Sequence, residues 1–102
     1  MMYNKFNVLH WHITDAESFP FEMKSLPEIT TYGMYAPGQF YSQADIKEII
    51  AYAHVRGIIV MPEIDSPGHS ASWGFSPSLR NISMVCDELG NGQLDVSLDL
   101  TY

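Results

Sequence analysis

The chain has 102 residues, enough for one small domain, and 46% of them are hydrophobic, as in a globular core. Twelve acidic residues against five basic ones give a formal charge of -7. That balance argues against a nucleic-acid partner, which needs a basic surface. No window approaches the ~18 consecutive apolar residues of a membrane span. The single cysteine, Cys86, excludes an internal disulfide. Met1 to Phe6 carries no apolar leader pattern, so no signal peptide is expected within the chain, and the compartment stays unassigned.

Met1 to Lys5 is short and reads as a last helical turn feeding a strand. Phe6 to Ile13 is that strand. Alternation puts Val8, His10 and His12 on one face and Leu9, Trp11 and Ile13 on the other. Apolar residues dominate one face and histidines the other, a pattern that suits a strand covered on both sides. Asp15 to Gln39 is long, aromatic and broken by Pro20, Pro27, Gly33, Pro37 and Gly38. It reads as irregular, either a functional loop or a self-packed surface excursion.

The next element is a helix. Ser42 is a natural N-cap and Asp45 lies three residues on, near the positive helix end. Tyr41 and Ile46 occupy the positions of a hydrophobic staple. Ile46, Ile49, Ile50 and Ala53 form an apolar stripe, Arg56 suits the last turn, and Gly57 supplies a left-handed stop. Ile58 to Met61 then opens a second strand. Ser66 to Arg80 reads as a loop, Gly90 and Gly92 mark a turn, and Leu94 to Tyr102 reads as the approach to another helix.

This order is a β-α-β unit, in which the strands run parallel. Both strands stop at carboxylates, so the acids emerge together at the carboxyl ends, the side that carries chemistry in parallel α/β folds. Asp15 ends the first strand; it serves a pocket or merely caps a turn. Glu63, Asp65 and His69 end the second, with Pro67-Gly68 able to swing His69 back towards Asp15. A carboxylate on one imidazole nitrogen would leave the other for catalytic work. His10 and His12 form an H-x-H pair, which suits a metal-dependent hydrolase or simply hydrogen-bonded histidines. Trp73 follows the turn and is a candidate for stacking on a sugar, whereas Trp11 shares the face of Leu9 and Ile13 and reads as core. Two strands and one full helix cannot cover a doubly buried strand, and they leave open sheet edges.

Two stretches are more specific. N-K-F-N-V-L-H-W-H-I-T-D-A-E-S-F-P (Asn4 to Pro20) resembles the second barrel strand of glycoside hydrolase family 20, the β-N-acetylhexosaminidases. V-M-P-E-I-D-S-P-G-H-S-A-S-W-G (Val60 to Gly74) resembles that family's third strand and its loop. The helix lies between them, as in the family, and L-D-V-S-L-D-L-T-Y is similar to the segment before the next helix.

The resemblance implies an α/β fold: part of a (β/α)8 barrel, about strands 2 and 3 with the connecting helix, so that residues 1–102 make up a piece of a catalytic domain. It implies a retaining exo-glycosidase in which the substrate's acetamido oxygen is the nucleophile, an exception to the two-carboxylate scheme. The positions matching Asp15 and His69 form a chain that supports a glutamic acid. Glu63, Asp65 and Trp73 are candidates for substrate contact. The implied partners are glycans with N-acetylhexosamine ends, and neither cofactor nor metal is implied. The family's G-G-D-E, which carries the acid, does not occur in this sequence, nor does its first-strand arginine, and Ala16 stands where a second acid is common. Cys86 falls where animal members carry half a disulfide. The chain by itself is therefore expected to be inactive.

Overall fold

The computed structural model describes residues 1–84 and 92–98. Cys86, Gly90 and the last residues of the expected C-terminal helix approach lie outside these. The described elements are β1 (Val8–His12), α1 (Pro27–Gly33), α2 (Gln43–His54), β2 (Ile59–Glu63), β3 (Ser83–Met84) and β4 (Gln93–Leu94), with short 3-10 turns at Met2–Asn4, Ala71–Phe75 and Pro77–Leu79. β1 and β2 pair in parallel, Val8 beside Ile59 through to His12 beside Glu63. The fold is α/β. β3 and β4 form a separate antiparallel pair. No helix among the described residues is long and apolar enough to cross a membrane.

α2 forms where its caps place it. Ser42 Oγ accepts from the Asp45 N–H at 3.1 Å, and Asp45 Oδ2 accepts from the Ser42 N–H at 2.8 Å and its hydroxyl at 2.6 Å. This reciprocal box satisfies donors that a helix start leaves orphaned. Glu22 joins it, accepting from the Gln43 N–H at 2.6 Å. At the far end Arg56 donates to the Tyr52 carbonyl at 2.8 Å and lies over its ring, and Gly57 takes the left-handed φ of 67°. Of the expected stripe, Ile46 and Ala53 are buried, Ile49 is half-buried and Ile50 is exposed.

The hydrogen bonds from the Ser42 side chain, then its backbone, hold the Asp45 carboxyl below the usual carboxylate range. A pKa depressed by folding contributes stability above the unfolded-state value, and that part is lost as pH falls through the folded value. Ser42→Ala is expected to cost ~1 kcal/mol at neutral pH. Urea unfolding followed across an acid series should show the gap between wild type and variant closing on acidification.

Two expectations are corrected here. The stretch from Asp15 to Gln39 is not irregular throughout, because it contains α1. Pro27 opens this helix, Glu28 lies in its first turn, and Ile29, Thr30 and Gly33 are buried. At Gly33 an added Cβ would stand 2.7 Å from the Phe19 Cβ, so the close approach requires glycine. Nor is β1 covered on both sides. The register gives one face Val8, His10, His12, Ile59, Met61 and Glu63, and the first five are exposed while Glu63 is partly buried. Among the described residues nothing packs over that face. The opposite face, with Leu9, Trp11 and Val60, is half-buried on the α2 side.

The core lies past the strand ends. Ile13, Ala16, Phe19, Ile29, Ala71 and Ile82 are buried there, with Thr14, Ser70, Ser72 and Ser76. α1 packs against the Ala71–Phe75 turn, so the loops that follow β1 and β2 share one base.

Candidate active site at the strand ends

The parallel pair delivers His12, Asp15, Glu63, Asp65 and His69 to one end of the sheet. Asp15 is fixed by its own loop. Its N–H donates to the Ser18 carbonyl at 2.9 Å, its Oδ1 accepts from the Ala16 N–H at 2.7 Å, and its carbonyl accepts from the Ser72 hydroxyl at 2.6 Å. Ala16, the next residue, is buried.

His69 is fixed by the turn after β2. Its φ of 56° is left-handed, a conformation that non-glycine residues seldom adopt and that recurs at functional sites. The neighbours hold it there. The Leu94 N–H donates to the Pro67 carbonyl at 2.8 Å, and the fully buried Ser70 hydroxyl donates to the Gly68 carbonyl at 2.9 Å. The turn thus carries the imidazole back, as the Pro67-Gly68 sequence suggested.

His69 Nδ1 lies 3.1 Å from Asp15 Oδ1. A carboxylate only accepts, so Nδ1 carries the proton, and Nε2 has no partner among the described residues. Asp65 Oδ2 is 3.7 Å from the same Nδ1 and 3.4 Å from His12 Nε2. The His12 and His69 rings lie 6.0 Å apart. These side chains are 29% to 48% exposed, so the cluster is open to solution.

The H-x-H pair does not converge. His10 turns to the Glu63 carboxylate, while His12 turns to Asp65. One ligand atom each from His12, Asp15 and His69 lies within 4.8 Å of the others, and the same is true of His12, Glu63 and Asp65. His10 belongs to neither set, so a metal hydrolase built on His10 and His12 is not supported by the described residues. Trp73 packs edge-on against Phe19 at 5.7 Å, and its buried indole nitrogen has no partner among the described residues. Trp11 meets Tyr41 edge-on at 4.8 Å.

The residue that sequence reasoning placed least well is His12. Grouped with His10 by spacing, it joins the Asp15–His69 cluster instead. The parallel register was the available signal, because it sets His12 level with Glu63 at the exit of both strands.

A parallel β-α-β unit with an aspartate–histidine pair at its strand exits places that pair where parallel α/β folds carry their chemistry. Residues 1–94 match the model of "Glycosyl hydrolase family 20, catalytic domain", and the chain belongs to that family. It is 50% identical over 107 residues to the human beta-hexosaminidase subunit beta, covering all of this chain and 19% of the subunit. Against the bovine beta-hexosaminidase subunit alpha it is 53% identical over 87 residues, covering 84% of this chain and 16% of the subunit. Among solved structures, the family 20 exo-β-N-acetylglucosaminidase of Vibrio harveyi in complex with N-acetylglucosamine superposes with a TM-score of 0.80 at 31% identity, covering 99% of this chain and 19% of that one. The Flavobacterium johnsoniae chitobiase gives 0.81 at 32% identity, covering 99% and 16%. The chain spans about a fifth of the length of the curated relatives it matches.

Proposed function

We propose that this chain forms one sector of the pocket of a β-N-acetylhexosaminidase, the part of a (β/α)8 barrel around its second and third strands. The reaction is hydrolysis of a terminal non-reducing N-acetylhexosamine from a glycan, with retention of configuration. The substrate's acetamido oxygen attacks the anomeric carbon and a carboxylic acid protonates the departing oxygen. In this reading Asp15 and His69 do not touch the breaking bond. Asp15 fixes the His69 tautomer and orientation, and His69 Nε2 faces the acid and steadies its proton transfer. Glu63 and Asp65 lie on the pocket side of the same sheet end and are the candidates for sugar hydroxyls. Trp73 supports the loop from beneath.

The observation that carries the proposal is the 3.1 Å contact between Asp15 and His69 in a chain of this family. The uncovered face of β1 and β2, on which Val8, Ile59 and Met61 are exposed, agrees with it, since barrel strands are covered on both faces. The sequence contains no G-G-D-E, so the 102-residue chain supplies a supporting pair without the acid. It is therefore expected to release no chromophore from an aryl N-acetylglucosaminide beyond the His69→Ala background. Turnover well above that background would overturn the assignment of roles.

A further inference from the structure

We propose that Asn81 is an acceptor site for an N-linked oligosaccharide. The chain's asparagines are Asn4, Asn7, Asn81 and Asn91, and of these Asn81 alone has a hydroxyl residue two places on. Asn81-Ile82-Ser83 fits the acceptor pattern of asparagine, any residue but proline, then serine or threonine. Three residues are a short pattern, and it acquires meaning from context: an exposed loop with room for a bulky, polar group.

The fold supplies that context. Asn81 is third in a four-residue turn, closed by the Ile82 N–H donating to the Leu79 carbonyl at 2.8 Å. Pro77, Ser78, Arg80 and Asn81 are all exposed. The Asn81 side-chain amide has no hydrogen-bond partner among the described residues. The residues after it are anchored. Ile82 is buried, its carbonyl accepts from the Asp95 N–H at 2.8 Å, and the Ser83 hydroxyl donates to the Ser70 carbonyl at 2.9 Å. The turn therefore holds the amide in solution, and a sugar attached there displaces no native hydrogen bond among the described residues. Nor does Asn81 belong to the uncovered face of β1 and β2, so the modification and a completed barrel do not compete for that face.

The donor is an oligosaccharide carried on a lipid diphosphate. Asn81 Nδ2 attacks the anomeric carbon, the Nδ2–C1 bond forms and the C1–O bond breaks. The lipid diphosphate leaves with the bonding pair, and Nδ2 gives one proton to a base of the transferring enzyme. Asparagine also suits a turn for its own sake, so the hydroxyl two places on is the discriminating residue.

The test is expression of the full 102-residue chain behind a cleavable leader in cultured eukaryotic secretory cells. Peptide-N-glycosidase in heavy-oxygen water then converts each occupied asparagine to a labelled aspartate, read by peptide mass spectrometry. One gel-mobility step removed by the enzyme is expected, with label at Asn81 and none at Asn4, Asn7 or Asn91. Asn81→Gln and Ser83→Ala should abolish the step, whereas Ser83→Thr should keep it. Asn81→Gln leaves the Ile82 and Ser83 anchors in place, and far-ultraviolet circular dichroism of each variant shows that the fold persists. Ser83→Thr separates loss of the acceptor hydroxyl from any other effect of changing Ser83. Three results would each overturn the proposal: no step on the wild-type chain, a step that survives Asn81→Gln, or label on a different asparagine. None of these measurements involves turnover, so their failure leaves the glycosidase reading intact.

Discussion

When residues 1–94 replace the matching segment of the human beta-hexosaminidase subunit beta, the chimaera is expected to cleave an N-acetylglucosaminide, and His69→Ala within it to lower kcat ~10²-fold. General acid–base assistance is worth about 10²–10⁴-fold, and a residue that supports the acid commands part of it. At 1.36 kcal/mol per factor of ten, that is roughly 2.7 kcal/mol of transition-state stabilisation. Asp15→Asn should cost a similar factor. An amide offers an N–H as readily as an oxygen, so the His69 tautomer is no longer fixed by the 3.1 Å contact. In the proposed roles the two residues act as one unit, so the double variant should fall little below either single one. The loss should appear in kcat with KM nearly unchanged, since neither group is assigned to hold the ground-state sugar. A kcat within twofold of the parent chimaera, in a His69→Ala protein of unaltered melting temperature, would remove the support role. Additive losses would mean that the two side chains work separately.

The parts of the fold that could be read from the chain are those set by local chemistry. The alternation in V-L-H-W-H, the Ser42–Asp45 box and the left-handed Gly57 each act within a few residues, and the parallel pairing of β1 with β2 follows from joining them. α1 was not readable, because P-E-I-T-T-Y-G is poor in helix formers. It is held by burial of Ile29, by Thr30 donating to the Phe21 carbonyl at 2.6 Å, and by the contact of Gly33 with Phe19, all supplied by distant sequence. The same split runs through the site. The motif brought Asp15 and His69 into consideration and the turn explains how they meet. The partners of His10 and His12 depended on how the two strands pair and where the loop after β2 leads, which brings Glu63 to His10 and Asp65 to His12. Trp73 shows the opposite limit, since its position after the turn did not reveal that Phe19 would claim its ring edge.

Phe19→Ala should be the most destabilising single substitution among the described residues, at about 3–5 kcal/mol, the usual cost of emptying a fully buried phenylalanine site. Phe19 is 0% exposed. Its Cβ faces Gly33, its N–H donates to the Gly33 carbonyl at 2.6 Å, and its ring receives Trp73 at 5.7 Å. No small shift of α1 fills the space, because the backbone bond to Gly33 keeps the helix where it is. With urea slopes of ~1–3 kcal/mol/M for a small protein, the midpoint should drop by more than ~1 M. Phe19→Leu should lose less, as most of the volume remains. The damage should also reach the site in order. Trp73 belongs to the turn whose Ser72 hydroxyl holds the Asp15 carbonyl at 2.6 Å, so loosening that turn frees the Asp15 loop before the β1–β2 pair. Amide exchange should therefore rise first at Ala16, Phe19 and Trp73 and last along β2. A Phe19→Ala cost below about 1 kcal/mol would place the stabilising core elsewhere, and the strand-end residues would then lack the rigid base on which their geometry rests.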